Sequence, residues 1–382
     1  MVGGGHAVAA DSHPSRSDDP AVGAELRWKD YVLGRGSEAP FLVREASSYS
    51  ATTAFVVGRG FDPRMLVGLR RVGEILRGRL RIFAVDLVGT GSGQNAEQYA
   101  VRNEEELSRV VHGLGAELIS VELPASNDRR RAGILLAQKL SRDISDTHVV
   151  VDISALPKSV YFPLVASCLV RGDKEGARLE LQVLVTENPD LDDAIGGEGT
   201  LSASHFGGFQ HGLNLETVPA GPRVWAPILG RDSAAQLQAI HDRLMPTEIC
   251  PVLPFPARNP RRGDDLLLEY RQLLVDTFKV ESDNYIYADE SNPFDLYRIL
   301  CRLHQRYRDS LRPLGESKVV VSTHASKTLS IGVLLAAYEK QLPVIAAGPA
   351  QHFIRDEDIF VNPPSDDLVT CLWLQGEPYR YE

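Results

Sequence analysis

Apolar and polar positions along the chain fall into two alternating rhythms. Short runs rich in β-branched residues read as strands, and stretches with apolar residues three and four apart read as helices. Strands are predicted at 54–57, 81–88, 118–123, 149–153 and 179–185, with helices over 65–76, 104–114, 129–144 and 158–170 between them. The second half repeats the rhythm. Strands are predicted at 224–229, 249–255, 285–288, 318–321 and 343–347, with helices over 233–244, 264–278, 294–311 and 328–340. Pro251 and Pro254 place the 249–255 strand at a sheet edge, because proline cannot donate to a ladder. Nearly all-apolar strands separated by helices indicate parallel sheets covered on both faces.

This pattern divides the chain. Residues 1–24 are rich in Gly, Ser, Asp and Pro and read as a disordered tail. Residues 25–52 carry Trp28, Tyr31, Phe41 and Leu42 among charges, as expected of a strap packed on the body or on a partner. A first Rossmann-like domain is expected over 53–200, a linker over 201–222, a second Rossmann-like domain over 223–352 and a Pro- and Asp-rich tail over 353–382.

The two halves match in register. Val57-Gly58-Arg59 recurs as Leu229-Gly230-Arg231, Ser126-Asn127 as Ser291-Asn292, and Val149-Val150-Val151 as Val319-Val320-Val321, each about 170 residues further on. The order and near-constant offset point to a tandem duplication. The fold class is therefore α/β, with two tandem parallel-sheet domains forming an intrachain pseudo-dimer.

Composition narrows the function. The formal net charge of −10 argues against a broad phosphate-binding face for DNA or RNA, though not against a small basic pocket. Cys168, Cys250, Cys301 and Cys371 are far apart with no CxxC pair, which fits a reducing cytoplasm and excludes a disulfide framework or zinc knuckle. The first twenty residues lack the pattern of a secretory signal, and no apolar run approaches a membrane span. No metal site, cofactor motif or catalytic set is read from the chain.

Candidate chemistry sits in the loops. Open α/β sheets bind ligands beyond the strand carboxyl ends, where strands one and four flank the topological switch. Here those loops are Gly58, Arg59 and Gly60 with Asp62, then Asp152, Ser154 and Lys158. Their counterparts are Gly230 and Arg231, then Ser322, Thr323, His324, Ser326 and Lys327. Glycine admits a ligand to the backbone, helix N-termini bind anions, and Arg and Lys add charge. Arg59, Lys158, Arg231 and Lys327 at equivalent positions are expected to converge on one anionic ligand, with the lysines as exposed loop-end charges. The structural alternative is that Ser154 and Ser326 cap helices and the glycines serve turns. Lys158 and Lys327 stand where a helix dipole disfavours cations, which favours function. The GTGSG stretch at 89–93 lacks the P-loop lysine and reads as a loop. His205 and His211 read as linker residues.

The residues after strands one and four resemble the CARF-type domain, the CRISPR-associated Rossmann-like fold. Gly58-Arg59-Gly60 stands where that family has its Gly-containing loop. Asp152–Lys158 and Ser322–Lys327 stand where it has a small-residue loop with a Thr/Ser-Lys element leading into an apolar helix. The family's Gly-Gly-Thr-Lys form is absent, and Pro157 replaces a small residue. The resemblance implies a cyclic oligonucleotide bound across a two-fold axis, and a tandem pair in one chain resembles SAVED-type sensors. The family generally carries an effector domain on the same chain; no length or motif for one is read here, so any effector is expected to be a separate protein. Three functions follow: a sensor of a nucleotide second messenger in antiviral defence, a ring-nuclease-like phosphodiesterase using lysine and His324, or a ligand-free scaffold subunit of a defence complex.

Overall fold

The computed structural model describes residues 26–86, 94–123, 129–174, 177–198, 202–205, 221–314, 318–348, 351–361 and 368–380. The first half runs β1 (Val32–Arg35), α1 (Glu38–Ser47), β2 (Thr53–Arg59), α2 (Val67–Val72), β3 (Leu80–Asp86), α3 (Gln94–Leu114), β4 (Glu117–Glu122), α4 (Arg129–Asp143), β5 (His148–Asp152), α5 (Lys158–Gly172) and β6 (Glu180–Glu187). Next come α6 (Pro189–Ala194), β7 (Ile195–Glu198) and β8 (Ser204–His205). The second half runs β9 (Arg223–Ile228), α7 (Ala234–Leu244), β10 (Glu248–Ile249), β11 (Val252–Pro254), α8 (Arg262–Glu269), β12 (Ile286–Ala288), α9 (Pro293–Leu311), β13 (Lys318–Thr323), α10 (Lys327–Lys340), β14 (Ile345–Ala346), β15 (Gln351–Ile354), α11 (Glu357–Val361) and β16 (Leu368–Gln375).

The larger sheet has seven strands in the order β1-β16-β6-β5-β2-β3-β4. Its five inner-to-edge strands β6, β5, β2, β3 and β4 are parallel, the order expected of a doubly wound unit. In the second sheet β9 lies between β13 and the broken strand β10–β11, and β12 forms the edge. A parallel bridge from Val321 to Val344 extends it beyond β13. Counting within each half, both sheets therefore run 3-2-1-4-5. The triple-valine strand β5 lies between β2 and β6, and β13 lies between β9 and the bridge to Val344, with all six of these valines buried.

Three apolar cores explain the stacking. One lies between the first sheet and α1–α3, another between the second sheet and α7–α8. The largest runs from the inner face of the first sheet through α4, α5, α9 and α10 to the inner face of the second. The helix pair α5/α10 meets in this middle layer, where the Tyr161 hydroxyl bonds that of Ser330 at 2.5 Å. Close helix packing in each half rests on one glycine. A Cβ on Gly133 of α4 would stand 1.9 Å from the Ser159 carbonyl oxygen, and one on Gly332 of α10 would stand 2.3 Å from that of Pro293. Either substitution to valine is expected to destabilise the chain by roughly 1–3 kcal/mol, read as a lower urea midpoint.

Three sequence expectations need correction, and of the two places expected for the strap one is taken. The broken strand β10–β11 lies one place in from the edge. Pro251 falls in its break and still accepts through its carbonyl from Ile286. Residues 353–382 are not a tail, because β16 inserts between β1 and β6 with almost every residue buried. The 25–52 strap packs on the body: β1 pairs with β16, and Trp28 is fully buried. The 65–76 helix is shorter, with 3₁₀ turns at Pro63–Leu66 and Gly73–Leu76 flanking α2.

Candidate functional site

The strand-four loops of the two halves face each other where α5 meets α10, and each gives a lysine to the other. Pro157, extended, sets Lys158 as the first residue of α5. Ser326 accepts from the Leu329 amide at 3.2 Å and sets Lys327 as the first residue of α10. The Lys158 amine donates to the Thr323 and Ala325 carbonyls at 3.0 and 3.3 Å. The Lys327 amine donates to the Ser154 carbonyl. The lysines are thus half-buried and engaged across the junction, not the exposed charges expected of a helix start. Backbone carbonyls turned from the loop ends supply acceptors that a sequence does not display.

Electrostatics here are unbalanced. Burial, and then repulsion from Lys327, pushes the Lys158 amine down to about 8. Burial and Arg64 push Lys327 to about 8 against the pull of Asp62, Asp192 and Asp152. Among the described residues Lys158 has no carboxylate partner. Burial and Lys158 hold His324 down to about 3, and its Nε2 is buried without a hydrogen-bond partner. The Thr323 hydroxyl is in the same condition. On the first-half side, Asp152 Oδ1 accepts from the Ser154 amide at 2.9 Å and from its hydroxyl, while Oδ2 is buried and unpartnered. Burial raises this carboxyl to about 7. Ser154 is therefore no helix cap; its hydroxyl accepts from the Thr186 amide at 2.8 Å and ties the loop to β6.

Both amines lose protons more readily folded than unfolded, where a lysine titrates near 10.5. The folded state binds fewer protons between pH 8 and 10.5, so their unfavourable contribution is full below pH 8 and is relieved as pH rises. The unmodified chain is expected to gain thermal stability relative to a Lys158→Met/Lys327→Met variant between pH 7.5 and 9. Parallel melting curves for the two proteins would contradict this.

The other sequence candidates are engaged by the protein's own groups. β2 continues through Gly58 and Arg59, which pair with Val85 and Asp86 of β3. Arg59 binds Asp86 at 2.9 Å, Glu104 at 3.1 Å and Ser120 at 3.3 Å within its own half, so it does not join the lysines. Gly60 offers its carbonyl to Asn103. A Cβ on Gly230 would stand 1.9 Å from the His324 carbonyl oxygen, so this glycine admits the protein's own strand-four loop. Arg231 pairs with Asp193 at 3.3 Å. Ser322, in β13, accepts from the Trp225 indole at 3.0 Å. Ser291 closes a turn on Asp289, and Asn292 caps α9 through the Phe294 amide. Ser126 and Asn127 lie outside the described residues, as do the 89–93 loop and His211. His205 lies in β8, paired with Ile345.

The structure adds residues beside Lys327 that sequence reasoning did not assign. Asp62 accepts from Arg64 Nε at 3.0 Å and Nη2 at 2.8 Å, and Arg64 Nη1 reaches Asp192 at 2.5 Å. Burial alone would raise Asp62, but Arg64 outweighs it and leaves the carboxyl below its ordinary value. The DPR sequence after β2 was the available signal; its partner 128 residues away was not.

No family model and no curated protein matches this chain. Among solved structures, a protein of unknown function from Pseudomonas aeruginosa aligns over 82% of this chain and 96% of its own at 10% identity, TM-score 0.22. A protein titled as a universal stress protein from the same species aligns over 82% and 97% at 10% identity, TM-score 0.21. Likeness of this degree carries no argument about function. Among the described residues no helix is long and apolar enough to cross a membrane, and no group of His, Cys, Asp and Glu gathers as metal ligands.

Proposed function

We propose that the chain is a nucleotide-sensor subunit of the CARF or SAVED kind. Its two Rossmann-like units act as an intrachain pseudo-dimer. An anionic second messenger, a cyclic or linear oligonucleotide, binds where the strand-four loops meet, and the bound state is passed to a separate effector protein in antiviral defence. The observation that carries this is the pair of half-buried amines at the α5/α10 junction, with only carbonyls for Lys158. Two desolvated cations that repel one another are stabilised by an anion placed between them. The unpartnered Thr323 hydroxyl and His324 Nε2 offer it further polar contacts.

A hydrolytic role for His324 is disfavoured. An imidazole held near 3 is a weak base at neutral pH and is not in the imidazolium form that serves as a general acid. A ligand-free scaffold is the second reading, favoured by the fact that carbonyls already satisfy both amines. Calorimetric titration separates the two. Lys158→Met and Lys327→Met keep most of the side-chain volume and remove a charge-assisted bond of roughly 1.5–3 kcal/mol, a ten- to hundredfold loss of affinity for a phosphorylated ligand. Comparable losses are expected, since the two lysines hold equivalent places. Undiminished binding by both variants would sink the junction site.

A further inference from the structure

Beyond β6 the chain makes a feature that neither sheet requires. α6 is only six residues long, with Asn188 as its cap and Pro189 at its first turn. Its adjacent carboxylates reach different halves of the molecule. Asp192 accepts from Arg64, which follows strand one of the first half, and Asp193 from Arg231, which follows strand one of the second. Asp192 also acts electrostatically on Lys327. α6 runs on into β7, which pairs with β15, and α11 lies against it. Leu191, Ala194 and Phe360 form a small apolar cluster separate from the three main cores, resting on Phe61 and Tyr99. After β15, Arg355 donates its amide to the Ala194 carbonyl at 2.7 Å and its guanidinium to Asp232 at 2.9 Å.

We infer that α6 with β7, β15 and α11 is an acidic lid whose Asp192 and Asp193 occupy the arginines that a phosphorylated ligand takes when it binds at the junction. The inference rests on the proposed anion site and names its regulation. Arg64 holds Asp62 through Nε and Nη2 and Asp192 through Nη1, so Nη1 is the nitrogen that changes partner. Among the described residues Asp193 is the one acidic partner of Arg231, whose side chain is 43% exposed, so its exchange costs little. Arginine forks bind phosphate in two-point fashion, and a multiply charged ligand replaces two single carboxylates. A unit with so small a core is the kind that opens without global unfolding.

The test uses the full chain and inorganic tripolyphosphate as the probe anion. Asp192→Asn/Asp193→Asn removes both carboxylate charges, weakens both contacts and keeps the side-chain shape. Asp190→Asn removes a charge from the same helix at an exposed residue with no ion pair among the described residues. Calorimetry is expected to give about three- to tenfold tighter binding for the double variant and a change within about twofold for Asp190→Asn. Without ligand, hydrogen exchange at 190–198 and 351–361 is expected to quicken in the double variant only. Equal tightening by Asp190→Asn would mean a general charge effect and overturn the lid. So would exchange that the double variant leaves unchanged. Equal tripolyphosphate affinity of all three proteins overturns the lid and leaves the junction site standing, whereas oligonucleotides and tripolyphosphate failing to bind any of them overturn both.

Discussion

Arg64→Met is expected to destabilise the protein by about 3–5 kcal/mol, because it strips the cation from a buried carboxylate without removing the carboxylate. Three Arg64 donors reach Asp62: Nε, Nη2 and the backbone amide, the last at 3.0 Å. Asp62 and Arg64 are both buried, so water cannot replace the lost partner. The Lys327 amine acts on Asp62 but donates its hydrogen bond to Ser154, so it compensates only in part. Urea denaturation should show the loss as a lower midpoint. Adding Asp62→Asn to Arg64→Met should recover part of it, since the pair is coupled and the second change removes the stranded charge. A loss under about 1 kcal/mol would mean that Asp62 finds solvent or another cation.

Trp28→Ala is expected to cost a similar amount, about 3–5 kcal/mol, and for a different reason. Trp28 comes from the segment before β1 and is fully buried. Its ring meets Tyr297 of α9 edge-on at 5.5 Å and Tyr338 of α10 at 6.4 Å. Its indole N–H donates to the Leu374 carbonyl of β16 at 2.8 Å, and the Arg27 guanidinium lies 4.8 Å from its centroid. One side chain therefore ties the first sheet to the helices of the second half. Alanine leaves a cavity and an orphan carbonyl at that seam. The same bridge is drawn by Tyr31, stacked on Phe294 at 4.3 Å and bonded through its hydroxyl by Asn292. Calorimetric melting should show a lower midpoint and a broader or split transition as the halves uncouple. Trp28→Phe, which keeps an aromatic ring and loses the N–H, should fall between. An unchanged single transition in Trp28→Ala would refute the bridging role.

The alternation of elements was legible because parallel strands covered on both faces must be apolar throughout, and the intervening helices must show one apolar stripe. β5 and β13 could be placed in the interior of their sheets from three valines each. β16 escaped notice because LVTCLWLQ follows a Pro- and Asp-rich stretch, and an antiparallel strand inserted between β1 and β6 stands outside the strand–helix alternation. Lys158 and Lys327 were legible as cations misplaced at helix starts. That each would reach the opposite loop's carbonyls depends on how two halves dock, which local pattern does not carry. Arg59 misled because a glycine after an apolar run looks like a strand end, whereas β2 keeps its ladder to β3 for two more residues. Asp192 and Arg64 could not be paired from sequence, because their contact exists only once α6 folds back over strand one.

The central claim is one anion site made by both halves of a single chain. Its most direct measurement is the stoichiometry of calorimetric titration of the unmodified chain with a panel of cyclic and linear oligonucleotides. Saturation at one ligand per chain is the expected result, since Lys158 and Lys327 already stand on the two sides of one intrachain junction. Saturation at one ligand per two chains, or no binding by any member of the panel, would contradict it.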